Sequence, residues 1–291
     1  MMTMTITEIM NTRQNEYRYL LLDPLKGVSS SNPLNQELLR EVWGDKVLQI
    51  ILRPDLAHAP EYCPRLLLLA KPGGSCDEAI LRTSEQYSCG EALYEKRYVC
   101  GWINSSLAPE SMADLVASLC KKLKTGMVIP FFEPLRLELL QALSPLQPLS
   151  SFIWPISQWH YLSSAGKLVT LKGKLSDRDQ KGWIKWRSIQ TQQQVRDIWR
   201  LLSAWGQICT SLPDDAAIQA AEAWAKSATP ALHHKSDRLC LALNHLTLPV
   251  DISRHPDVQV LLQQAARDPQ QHFTQLLTTL SDAVWQELSQ P

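Results

Sequence analysis

No part of this chain stays apolar for long. Its longest unbroken apolar runs, Leu66 to Ala70 among them, are five residues long, far below the roughly 18 residues that a membrane span needs. Membrane insertion is therefore not expected. Residues Met1 to Glu16 are polar and lack the apolar centre of a signal peptide. Surplus charge is also missing. Lys and Arg number 29, Asp and Glu number 29, and the formal net charge is zero, which disfavours a globally basic nucleic-acid binder and an acidic, calcium-loving surface alike. The seven cysteines (Cys63, Cys76, Cys89, Cys100, Cys120, Cys209 and Cys240) form no C-x-x-C pair. An odd, scattered set without an export signal reads as reduced thiols, mostly small core residues, in a cytoplasmic protein.

Recognisable chemistry is scarce too. The chain has neither G-x-x-x-x-G-K-[ST] nor G-x-G-x-x-G, and no G-x-S-x-G nucleophile elbow. Gly73-Gly74-Ser75 precedes a helix and reads as a tight turn or as a cradle for an anion. His233 and His234 are adjacent, so on a helix they point about 100° apart and make a poor ligand pair. His245 and His255 follow without an H-E-x-x-H or a Cys/His cluster. No metal and no cofactor are expected.

What is present is a chain of 291 residues, 45% apolar and 20% charged. That is enough for two domains at about 150 residues each, with a sizeable core. From Tyr17 to about Gly173, short apolar runs alternate with helical patterns. Strands are predicted at 17–23, 47–52, 65–70, 98–106 and 126–132, with a further pair at 152–162 and 166–172 on a sheet edge. Helices are predicted after Asn32-Pro33, after Ser75 with Glu78 as a capping box, after Pro109 and after Pro134. Alternation of this kind, with continuous apolar strands, predicts an α/β lobe with a parallel or mixed sheet flanked by helices.

After about Thr191 the pattern is helical throughout, and its last stretch runs from an Asp268 cap to Leu288 as one predicted helix. The expected organisation is a flexible start (1–16), an α/β lobe (17–174), a connector (175–190) and an all-helical lobe (191–291).

The connector region stands out. Between Lys167 and Arg187, seven cations face only Asp177 and Asp179. Lys181, Trp183, Lys185, Trp186 and Arg187 interleave aromatics with positive charge. Such a segment can cover a join between lobes, anchor a protein partner or, less in keeping with the neutral chain, hold single-stranded nucleic acid; no nucleic acid is expected. Trp199, Trp205 and Trp224 follow on helical stripes that suit a core or a contact surface. At the strand–helix junction Phe131-Phe132-Glu133-Pro134-Leu135-Arg136, the spacing allows a Glu133–Arg136 ion pair beside the helix amino terminus.

Three motifs in order carry a resemblance. Tyr19-Leu20-Leu21-Leu22-Asp23, then Cys100-Gly101-Trp102-Ile103-Asn104-Ser105-Ser106, then Phe131-Phe132-Glu133-Pro134-Leu135-Arg136 resemble the effector adaptor (chaperone) domain of bacterial type VI secretion systems over about residues 17–165. One departure is visible: the family places Arg directly after Pro, whereas Leu135 stands between Pro134 and Arg136.

The resemblance implies a non-enzymatic cytoplasmic adaptor that binds a toxic effector protein and helps load it onto the spike protein of the secretion machine. It also points to the carboxy-terminal lobe for effector choice. On this reading some of Trp183, Trp186, Trp199, Trp205 and Trp224 anchor the partner while Lys181, Lys185 and Arg187 steer it. Asp23, Glu133, Pro134 and Arg136 are structural motif residues. The rival reading is an α/β enzyme using Asp23, Ser105 and Glu133 in a crevice at the strand carboxyl ends.

Overall fold

The computed structural model describes residues 5–44, 47–121, 128–144, 146–175 and 186–290. The chain forms two compact units, Met1–Gln192 and Gln193–Pro291.

The first unit is built on one open six-stranded sheet. Its strands are β1 (Tyr17–Leu22), β2 (Leu48–Ile50), β3 (Arg65–Ala70), β4 (Val99–Ser105), β5 (Ile156–Leu162) and β6 (Leu168–Lys172). Their order across the sheet is β2-β3-β1-β4-β5-β6, and every neighbouring pair is antiparallel. This overturns the parallel or mixed sheet expected from the alternation of strands and helices. A helical crossover fixes the direction of the next strand but does not make the two strands neighbours. Here β1 is inserted between β3 and β4, which run the same way, and β3 lies between β1 and β2. The interleaved strand turns each crossover into two antiparallel contacts.

The continuous apolar strands have a different cause from the one expected. Both faces of the sheet are covered, and a strand buried on both sides is apolar at every position whatever its direction. Tyr19 and Leu21 join one buried cluster. It contains residues of α4 (Pro109–Leu119), α5 (Pro134–Leu143) and α6 (Leu146–Ile153). Leu20 and Leu22 point into the other cluster, with residues of α1 (Ile6–Asn11), α2 (Gln36–Trp43) and α3 (Glu78–Gly90). The result is three layers, helix–sheet–helix.

Local signals place the helix starts. Asn35, rather than Asn32, caps α2 by accepting from Glu37 N–H at 2.9 Å. Asp77, rather than Ser75, caps α3 by accepting from Ile80 N–H at 3.0 Å. Pro109 and Pro134 open α4 and α5 at the first turn, where a missing N–H costs nothing.

Three further expectations are corrected. Residues 128–133 form a buried loop, because Pro130 removes a ladder donor from the apolar run; 126 and 127 lie outside the described residues. The stretch 152–162 is divided between the end of α6 and β5. The long carboxy-terminal helix is two helices. α12 (Phe273–Leu277) ends in a turn, and Ser281 caps α13 (Asp282–Ser289).

α7 (Trp186–Gln193) closes the first unit. The second unit contains α8 (Val195–Ile208), α9 (Ala216–Lys226), α10 (Lys235–Thr247) and α11 (Pro256–Arg267), followed by α12 and α13. Leu241, Val258, Leu261, Phe273, Leu277 and Leu288 meet in one of its apolar clusters. Among the described residues no helix is long and apolar enough to cross a membrane.

Candidate functional site

Asp23 of the first motif and Glu133 and Arg136 of the third converge at one end of the sheet. β1 delivers Asp23 just past its carboxyl end, fully buried, with its backbone N–H bonded to Tyr98 O at 2.8 Å. The loop before β4 brings in Lys96, whose Nζ lies 2.9 Å from Asp23 Oδ2 and 2.5 Å from Glu133 Oε1. Glu133 occupies the cap position of α5, where the positive end of the helix dipole favours a carboxylate. Its other oxygen, Oε2, accepts from Arg136 Nε at 2.6 Å, one helical turn on. The inserted Leu135 does not disturb this pair, since residues three apart share a helix face; Leu135 itself is buried.

Arg136 extends the network. Its Nη1 donates to the backbone carbonyl of Gln192 at 2.7 Å, and Gln192 Nε2 donates back to the carbonyl of Arg136 at 2.9 Å. α5 is thereby fastened to α7, at the last residue of the first unit. Arg53 sits nearby, held bidentately by Asp55 at 2.8 and 2.6 Å, and its charge is felt by both Asp23 and Glu133.

Electrostatics in this cluster are set by burial. Burial pushes the Asp23 carboxyl above its ordinary range, with Glu133 adding to the effect and Lys96 opposing it. Burial also works against the Lys96 ammonium, but Glu133 and Asp23 together outweigh it and raise its pKa. Two cations and two carboxylates balance one another. A buried set of this kind holds geometry well, because removing any one member strands another charge out of water.

Ser105 lies at the other end of the sheet. It pairs with Tyr17, at the start of β1, whereas Leu22 pairs with Val99. With roughly 3.4 Å per residue along a strand, about 20 Å separates it from Asp23. Ser105 is buried; its hydroxyl donates to Pro155 O and accepts from Leu107 N–H. In an antiparallel sheet the carboxyl ends alternate, so Asp23, Ser105 and Glu133 do not share the crevice expected of a parallel one.

Gly101, in the second motif, has a reason to be glycine. Its φ is +146°, and a Cβ there would meet the carbonyl oxygen of His160 at 2.5 Å. Gly73 and Gly74 form a turn rather than an anion cradle, with Gly74 O accepting from the buried Arg18 at 2.6 Å.

The aromatic candidates divide. Lys181, Trp183 and Lys185 lie outside the described residues, as does the side chain of Trp186, whose backbone opens α7. Arg187 is exposed. Trp205 and Trp224 are buried at 5% and 2% exposure, which fits the core alternative for these two side chains. The Arg238 guanidinium lies 4.0 Å over the Trp224 ring and donates to Trp224 O at 2.7 Å. Trp199 is half-buried, with an indole N–H that has no partner among the described residues. Beside Trp224 a recess of about 240 Å³ is lined by Asp197, Arg200, Lys235 and Leu239. Asp197 pairs with both cations, at 3.6 and 3.3 Å.

Among the described residues the thiols are free and four of them are buried. Cys63, Cys76, Cys100 and Cys120 are buried, and burial pushes the Cys76 thiol up to about 11 and Cys120 to about 12. His233 and His234 bond to separate backbone carbonyls. Among the described residues no group of His, Cys, Asp or Glu could hold a metal ion.

Lys96 and Gln192 are the members of the network that sequence reasoning missed. Lys96 lies between Glu95 and Arg97 in a charged loop, where nothing marks it for burial. Gln192 sits in a polar helix. No family model matches the chain, and no curated protein or solved structure matches it.

Proposed function

We propose that this protein is a cytoplasmic, non-enzymatic adaptor that holds a toxic effector and helps load it onto the spike protein of a type VI secretion machine. The observation that supports this most is the use to which the motif residues are put. Asp23 comes from the first motif and Glu133 and Arg136 from the third; Lys96 joins Asp23 to Glu133, which Arg136 holds in turn, in one buried network. They are bonded to one another, and through Gln192 to the helix that closes the first unit. Side chains committed in this way build a scaffold. Partner contact then falls to surfaces outside the network, and the connector's Lys181, Trp183, Lys185, Trp186 and Arg187 are the segment with anchoring aromatics and charge together.

The test is capture of the tagged full chain from its own cells with the secretion machine expressed, followed by mass spectrometry. Stoichiometric recovery of a toxin effector, with or without the spike protein, is the expected result. Replacing Trp183 and Trp186 together by Ala should then weaken effector binding by more than about 1 kcal/mol while leaving the fold intact. Recovery of the chain alone under those conditions overturns the adaptor reading. Unchanged affinity in the double variant overturns the placement.

A further inference from the structure

A second polar feature of the first unit lies apart from the buried network. A cleft of about 340 Å³ opens between the loop after β1, the first turns of α2 and the start of β3. Its lining includes Asn35, Gln36, Arg40, Glu61, Arg65 and Tyr98. Arg65 is only 2% exposed. Its Nε donates to Gln36 Oε1 at 3.0 Å and its Nη1 to Cys63 O at 3.1 Å, while Nη2 has no partner among the described residues. Arg40 has neither a side-chain hydrogen bond nor an ion pair among the described residues, and it is near enough for its charge to act on Arg65. Burial first, and Arg40 second, lower the Arg65 pKa. Two guanidinium groups thus line one cleft, and neither is ion-paired to a carboxylate among the described residues.

The neighbouring amides add donors. Gln36 Oε1 is taken by Arg65, and Asn35 Oδ1 is taken by Glu37 N–H at 2.9 Å. Both partners can only donate, so each amide is fixed with its NH₂ left to donate elsewhere. Tyr98 spends its hydroxyl proton on Leu34 O at 2.6 Å. The acids of the cleft, Glu37 and Glu61, are exposed, and neither is ion-paired to Arg40 or Arg65. The inner surface is rich in donors and poor in acceptors. Its volume falls within the roughly 300–1,000 Å³ of small-molecule sites and leaves room for a carboxylate-bearing side chain.

We propose that this cleft binds a single carboxylate, presented by a Glu or Asp side chain of a bound polypeptide. That a polypeptide presents it rests on the adaptor reading; the carboxylate chemistry does not. The singly charged group is favoured over a phosphate because Glu37 and Glu61 stand at the opening and repel a dianion more strongly.

The experiment is a titration of the full-length protein, followed by NMR at the arginine Nε–H groups at constant ionic strength. The probes are acetyl-Gly-Glu-Gly-amide, its Gln counterpart and inorganic phosphate. The Glu peptide should give a saturable shift at Arg65, at least fivefold tighter than the Gln peptide, and Arg40→Gln should weaken it at least fivefold. Equal response to the Gln peptide, or an unaltered response in Arg40→Gln, overturns the site. Tighter binding of phosphate than of the Glu peptide overturns the carboxylate assignment. If the Glu peptide binds as expected while the chain captures no polypeptide from its own cells, the adaptor reading fails and the site stands.

Discussion

Gly101 and Trp159 approach each other so closely across β4 and β5 that a Cβ on Gly101 would lie 2.7 Å from the indole Nε1. The carbonyl of His160 closes the other side at 2.5 Å, and the backbone at Gly101 is in a region that side chains avoid. Gly101→Ala is expected to cost about 2–4 kcal/mol, from strained dihedrals and overpacking together. Urea denaturation measures this as a lower midpoint with an unchanged slope. An unchanged midpoint would mean that the two strands can part without cost.

Lys96→Met leaves Asp23 and Glu133 buried without their shared cation. A loss of about 3 kcal/mol is expected at pH 7. It should shrink as the pH is lowered toward 4, since the Asp23 carboxyl is already held above its ordinary range by burial and takes up a proton readily. Adding Asp23→Asn to Lys96→Met should recover much of the loss. Denaturation at pH 7 and pH 4.5 checks both statements; equal losses at the two values contradict them.

His160 carries a second pH dependence. Burial, then the charges of Arg13 and Lys172, lower its pKa from 6.5 to about 4, and its Nδ1 lies 2.8 Å from Thr170 Oγ1. The folded state favours the neutral ring. The corresponding stability, roughly 3 kcal/mol, is full above pH 6.5 and is lost as the pH falls from 6.5 to about 4. Asp23, Glu91 and Glu138, all raised by burial, act in the other direction. The comparison is therefore between wild type and His160→Gln. Their stability difference should fall across that window, and a difference constant with pH would refute the assignment.

Much of the first unit can be read from residue order. The runs at Tyr17–Leu22, Arg65–Ala70 and Val99–Ser105 are strands at nearly the predicted positions, because apolar continuity reports burial on both faces. It does not report direction, so the sheet's antiparallel order was illegible: Leu20 and Leu21 would look the same beside either kind of neighbour. Glu133 and Arg136 could be paired from their spacing alone. Lys96 could not be added, because its burial is created by residues 73 positions before it and 37 after it. Trp205 lies on a helical stripe that suits a core more than a contact surface, and the burial of Trp205 and Trp224 is what separates the two readings.

The placement of β1 between β3 and β4 also bears on how the chain is made. The central strand of the sheet is synthesised before either of its neighbours. At about 5–20 residues per second, roughly 4–16 seconds pass between the completion of β1 and the arrival of β4. Until β3 arrives both edges of Tyr19 to Leu22 are unpaired, and until β4 arrives one edge still is, a template for pairing with other chains. A nascent chain that stalls before Tyr98 cannot bury it, so truncated products should collect as aggregates, and full-length yield should depend on how quickly translation proceeds from β1 to β4.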